Sequence, residues 1–148
     1  MVCNKTVTRG FRYLDHMTDA VVEAYGSSLA EAFENSAKGL VNTMIDLKQI
    51  TPDQEYEILA EGYDIKSLLY DWLEKVLLGL LIDNIALSDF KVKISERNSN
   101  YNLKGIAKGA ALDLKKHHYK VEIKAVTYHE MEIKQTENRI TTRFLLDL

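Results

Sequence analysis

The sequence predicts an α+β fold in which two helices pack on a mostly antiparallel β-sheet. Three observations carry this reading. Two stretches place apolar residues at helical spacing, the other apolar residues alternate at strand spacing, and the order is β-β-α-β-α-β-β-β-β. A single proline, Pro52, and no Gly/Ser-rich linker leave no domain boundary, so residues 1–148 read as one domain with a loose segment over 1–10.

Phe11–Leu14 and Ala20–Tyr25 read as short strands joined by the polar stretch Asp15–Asp19. Ser28 followed by Glu31 is a capping-box pattern that opens a helix to about Asp46. Its stripe is Leu29, Ala32, Phe33, Ala37, Leu40, Val41 and Met44. After a turn at Thr51-Pro52-Asp53, Glu55–Tyr63 alternates, with Tyr56, Ile58 and Ala60 on one face. The second helix, about Ile65 to Ile82, is apolar enough to sit at the centre of the core. Phe90, Val92 and Ile94 then alternate, and Asn98-Ser99-Asn100 makes a hairpin turn. Tyr101–Leu114 reads as a long strand in which Gly105 and Gly109 weaken pairing or permit close backbone approach. Val121–Ile133 and Arg139–Leu148 complete the set. The apolar parity of Val121–Ile133 changes twice, which predicts bulges and turns Lys124, Thr127 and His129 away from the core.

Composition excludes several classes. At 148 residues, 46% hydrophobic and 28% charged, the chain can bury a core without staples. The lone Cys3 excludes an internal disulfide and a Cys-based zinc site. The longest apolar run, Val76–Ile82, is far short of the roughly 20 residues of a membrane helix, so no membrane partner is expected. Met1–Arg12 lacks the apolar centre of a signal peptide, and a cytoplasmic location is expected. The net charge of −3 conceals an asymmetry. Residues 15–90 hold four lysines against fifteen carboxylates, and residues 91–134 hold ten cations against five. Such a division suits electrostatically oriented docking, although solvated helix faces and charged strand edges produce the same pattern.

Ile140, Thr142, Phe144 and Leu146 carry a strand almost to the last residue. An ordered end would hold the Asp147 carboxylate beside the α-carboxylate of Leu148, and oxygen-only donors favour a hard cation. His16, His117, His118 and His129 match no zinc spacing, and the adjacent pair is expected on opposite faces of a strand. No phosphate loop, dinucleotide fingerprint or nucleophile elbow occurs. Lys115–Lys124, with Tyr119 and two histidines, is a modest nucleic-acid signal set against an acidic whole.

Two segments carry a family resemblance. Tyr13-Leu14-Asp15-His16-Met17-Thr18-Asp19, then Gly26-Ser27-Ser28-Leu29-Ala30-Glu31-Ala32-Phe33, resembles the archease opening, His-Thr-Ala-Asp, a short strand, then Gly-x-x-Leu-x-Glu-Ala-Phe. Leu112–His117 followed by Glu122–His129 resembles the family's longer second signature, and the chain ends on Asp147-Leu148 as family members end on Asp-Ile or Asp-Leu. The resemblance implies a non-enzymatic activator of the RtcB-type RNA ligase of tRNA splicing. Such an activator promotes guanylation of the ligase by GTP and multiple turnover, and broadens its nucleotide use. It further implies a metal site at Asp19, Asp147 and Leu148, seen with calcium in the family and open to Mg²⁺ or Mn²⁺. His16, Lys116, His117, Lys124 and His129 would bind or support the partner. Met17-Thr18 departs from the family's Thr-Ala, and Gly109-Ala110-Ala111 from a common Gly-Glu-Pro. The competing readings are a metal-dependent phosphoester hydrolase and a chaperone or RNA-binding adaptor.

Overall fold

The computed structural model describes residues 9–14 and 19–148. The chain runs β1 (Gly10–Leu14), β2 (Asp19–Gly26), α1 (Leu29–Met44), a 3₁₀ turn (Leu47–Gln49), β3 (Gln54–Gly62), α2 (Ile65–Leu81), β4 (Ile85–Arg97), β5 (Asn100–Ala111), β6 (Ala125–Thr136) and β7 (Arg139–Asp147). The predicted element order and the two helices stand. All pairing is antiparallel, and the strands divide into two sheets, β1-β2-β7-β6 and β3-β5-β4. Among the described residues, no helix is long and apolar enough to cross a membrane.

Both helices touch both sheets, and one apolar core is shared among them. Trp72 of α2 sits fully buried at their junction. Its Nε1 donates to the Phe33 carbonyl of α1 at 2.9 Å, and its ring meets Phe90 edge-on at 5.8 Å. The close approach expected at the β5 glycines is real. A Cβ on Gly105 would lie 2.8 Å from the Trp72 ring, and one on Gly109 would fall on the Ala86 carbonyl of β4.

The helix starts differ in how they are capped. Ser28 accepts from the Glu31 N–H, but the Glu31 carboxylate reaches Ser27 N–H and Arg9 rather than closing the box on Ser28. Arg9 and Gly10 are therefore engaged, the latter in β1, although the sequence reading includes them in a loose segment. Cys3 and the rest of that segment lie outside the described residues. Helix α2 carries a complete reciprocal box between Asp64 and Ser67. The outer edges of the three-stranded sheet are each blunted by a helix carboxylate: Glu34 accepts from Val92 N–H on β4, and Asp71 from Glu61 N–H on β3. Occupied edge donors cannot template pairing with another chain.

Three boundaries move. Strand β4 begins at Ile85, β5 stops at Ala111, and β6 begins at Ala125 rather than Val121. Residues 112–124 form a loop instead, so His117 and His118 lie in a turn and not on a strand. Asp113 makes that turn by accepting from the N–H groups of Lys115 and Lys116. The loop is fastened to the end of α1, where Asp46 N–H donates to His117 O, Lys120 N–H to Met44 O, and the Lys120 ammonium to Asn42 O. Helix α1 has no basic residue in its own last turn, so Lys120 supplies the cation that its C-terminal carbonyls favour.

His117 is 1% exposed, and its Nδ1 accepts from Asp113 N–H. The neutral ring must then carry its proton on Nε2, which is buried without a partner among the described residues. Burial, reinforced by Lys116 and opposed by Asp113, holds its pKa below the ordinary imidazole value of 6.5.

Two predictions follow from this packing. Gly105→Ala should lose about 1–3 kcal/mol, the usual overpacking cost, because a side chain can yield. Gly109→Ala should lose at least as much as the top of that range, because a backbone carbonyl must move. Urea unfolding of both variants gives the order, and a smaller loss at Gly109 contradicts it. The second concerns pH. The unfolded chain takes up a proton on His117 before the folded chain does, so its stabilising contribution is complete above 6.5 and is lost as pH falls through the lower folded value. Stability should decline as pH falls below about 6.5, and His117→Gln should flatten that decline; an unchanged slope assigns it to other groups.

Candidate functional site

Strand parity sorts the four-stranded sheet into an inner and an outer face. Val22, Ala24, Phe144 and Leu146 turn inward and are fully buried against the helices. The outer face is organised in rows that cross the strands. Asp19 stands directly opposite Asp147, which in turn stands opposite Ala125. The next row is apolar, Leu14–Val21–Leu145–Thr127, with Val21 and Leu145 buried. Below it lies a row of alternating charge, Arg12–Glu23–Arg143–Glu132.

That charged row is internally bonded. Arg12 Nε donates to Glu23 at 2.9 Å and its Nη2 lies 2.7 Å from the same oxygen, while the Tyr25 hydroxyl donates to Glu23. Burial works against the Glu23 charge, yet the hydrogen bonds from Tyr25 and Arg12 outweigh it and hold the carboxyl below its usual range. Burial and Glu23 together push the Tyr25 hydroxyl up to about 12. The Arg139 guanidinium lies 4.8 Å over the Tyr25 ring, and Arg143 Nε is buried without a hydrogen-bond partner among the described residues. No signal short of the strand register could reveal this row, because its members are spread over four strands.

The acidic row is separated from the guanidinium of Arg143 by four residues of β7, about 13 Å of strand. Directly opposed side chains have Cβ atoms about 4.5–5.5 Å apart, and like charges so placed destabilise the pair. Leu148 follows immediately with the terminal carboxylate, and Lys124 N–H donates to Asp147 O at 2.7 Å. Among the described residues, no group of three or more His, Cys, Asp or Glu side chains could cage a metal. The donor set here is two Asp carboxylates and a chain terminus, which fits a hard, oxygen-seeking cation that keeps much of its water.

The other residues singled out by sequence are placed unevenly. Lys124 borders the acidic row and is exposed. Lys116 is exposed on the 112–124 loop, whereas His117 beneath it is buried and supports that loop. The loop belongs to the same end of the molecule as Asp19. The short Ser27-Ser28 link turns α1 back along β2, and its 16 residues, about 24 Å, match the roughly 26 Å of the eight-residue strand. His129 is not brought to the acidic row. It lies in the predicted bulge of β6, where the register slips between Thr127 and Glu132, with its N–H on Thr127 Oγ1. His16 and Met17 lie outside the described residues.

Known proteins resemble this chain along nearly its whole length. The model of the archease protein family matches residues 11–148. The protein archease of Methanosarcina barkeri is 38% identical over 139 residues, covering 93% of this chain and 95% of that protein. That of Thermococcus gammatolerans is 38% identical over 141 residues, covering 95% and 99%. The solution structure of Methanobacterium thermoautotrophicum protein 1598 superposes with a TM-score of 0.82 at 37% identity, covering 94% of this chain and 99% of that one. A Thermotoga maritima archease shares the fold alone, with a TM-score of 0.58 at 17% identity over 100% of this chain and 99% of its own. Family model, sequence relatives and fold agree, and the chain belongs to the archease family.

Proposed function

We propose that this chain is a non-enzymatic activator of an RtcB-type RNA ligase, which promotes guanylation of the ligase by GTP and so allows repeated turnover. The observation that carries the reading is the direct opposition of Asp19 and Asp147 at the end of the sheet, with the Leu148 carboxylate beside them. Membership of the family supports it, as does the description of the Thermotoga maritima relative as a possible chaperone, a protein that acts on another protein.

In this reading the acidic end enters the ligase's nucleotide cleft. Asp19, Asp147 and Leu148 hold Ca²⁺, Mg²⁺ or Mn²⁺, which supplies positive charge for a phosphate group. Lys124, bonded through its backbone to Asp147, and Lys116 on the adjoining loop present ammonium groups to the same phosphates. His117 fixes the loop from within. His129 faces the partner away from the acidic row.

The test is autoguanylation of the cognate ligase by GTP with substoichiometric amounts of this chain. Stimulation should be strong with the native protein and abolished by Asp19→Ala or Asp147→Ala; Asp147 is exposed and Asp19 half-buried at the strand end, and neither belongs to the apolar core. Unchanged stimulation by Asp147→Ala would sink the site, and phosphoester hydrolysis by the chain alone would favour the hydrolase. A separate reading comes from heat. Ca²⁺ at about a hundred times its dissociation constant should stabilise the native fold by about 2.7 kcal/mol, seen as a raised Tm. Asp147→Asn should lose that increment, and an equal rise in the variant would place the cation elsewhere.

A further inference from the structure

A second surface, remote in sequence from the acidic row, gathers three tyrosines. The slip in β6 sets residues 128–131 against Phe144 alone, because Thr127 pairs with Leu145 and Glu132 with Arg143. Met131 is buried as the anchor of this bulge, and Tyr128 is turned outward, 48% exposed. Its ring stacks on Tyr70 of α2 with centroids 4.4 Å apart and planes 11° from parallel. Tyr63, in the link between β3 and α2, is 73% exposed. Burial raises the Tyr128 hydroxyl pKa, and Tyr63, Asp64, Tyr70 and Asp71 all lie close enough to raise it further. The Tyr70 hydroxyl donates to Glu74 at 3.0 Å.

We propose that Tyr63 and Tyr128, ringed by Asp64, Asp71 and Glu74, form a docking patch for an arginine-bearing segment of a protein partner. Charge complementarity selects the occupant. Residues 53–74 hold seven carboxylates against one lysine, Lys66, and among the described residues only Asp71 of the patch has a lysine partner, Lys75 at 3.0 Å. Nucleic-acid phosphates are repelled by such a surface. A guanidinium is planar and weakly hydrated, so it can stack on a tyrosine face and fork onto a carboxylate, whereas an ammonium meets either ring or carboxylate only as a compact, strongly hydrated point charge. Shape points the same way. Glu130 holds a left-handed backbone, φ 58°, which a non-glycine residue adopts at a cost of about 1–2 kcal/mol. The fold retains that strain in the bulge that aims Tyr128 outward, and strained backbone concentrates at binding sites. The patch stands independently of the proposed ligase activation.

The test uses the full chain with ring-labelled tyrosine and two synthetic peptides, one of alternating arginine and glycine and one with lysine in place of arginine. The arginine peptide should shift the ring signals of Tyr63, Tyr70 and Tyr128, and added salt should weaken it. It should bind several-fold more tightly than the lysine peptide. Tyr128→Ala and Tyr63→Ala should each weaken it about two- to fivefold, the range of an exposed cation–π contact. Both positions are exposed, and an unchanged amide spectrum elsewhere shows that the variants fold. The proposal is overturned by equal binding of the two peptides, by tyrosine signals that do not move, or by unaltered affinity in both variants. Matching ring shifts with oligouridylate would overturn it in favour of RNA.

Discussion

The pairing of β2 with β7 is the constraint on which the rest depends. It joins the hairpin at the start of the described chain to the hairpin at its end through eight rungs, from Asp19↔Asp147 to Gly26↔Ile140. A slip of one residue would turn Phe144 and Leu146 from the core to the outer face. Each such side chain contributes about 1.5–3 kcal/mol by its burial, while an opposed pair of like charges costs at most about 1 kcal/mol. The core therefore fixes the register, and the register forces two carboxylates together at the strand end. The acidic row is a consequence of burial elsewhere in the same strands.

That argument also explains what the sequence makes legible. Alternation identifies the face of each strand, so the inward set of β2 and β7 and the outward row with Asp147 can be read in advance. Alternation does not identify the neighbour, so the division into two sheets and the Arg12–Glu23–Arg143–Glu132 row emerge only with the pairing. The loop at 112–124 misleads for a specific reason. Val121 and Ile123 alternate as a strand would, and Ile123 is fully buried, yet the segment is tied down by Asp113, His117 and Lys120 acting on the end of α1. The double change of parity in β6 is the opposite case, where a local irregularity of pattern correctly announces the bulge at Thr127–Glu132.

The left-handed residues separate ordinary turns from less ordinary ones. Asn98 and Ser99, both with positive φ, form the two-residue turn between β4 and β5, and Asn84 links α2 to β4. Asn tolerates that region well, and such turns match the twist of the strands they join. His118 and Glu130 have no such excuse. One lies in the loop fastened over the end of α1 and the other in the β6 bulge, so the two strained positions fall before and within the strand that borders Asp147.

The charge asymmetry looks different once the bonds of the carboxylates are known. In the acidic stretch, Glu31, Glu34, Asp46, Asp64 and Asp71 all accept from backbone N–H groups, at helix starts, at the 3₁₀ turn and at the two sheet edges. Lysines cannot serve those donors, since an ammonium accepts nothing. Part of the acidic excess is thus explained by unsatisfied backbone donors that need an anionic acceptor. The exposed pair Lys104–Glu57, 3.4 Å apart on the open face of the three-stranded sheet, is the kind of contact worth little in water. Once both uses are set aside, Asp53, Glu55, Glu61, Asp83 and Asp89 remain in that stretch as exposed surface charge. The charge pattern is thus in part scaffold chemistry, in which carboxylates serve backbone donors that lysines cannot, rather than one uniformly acidic half.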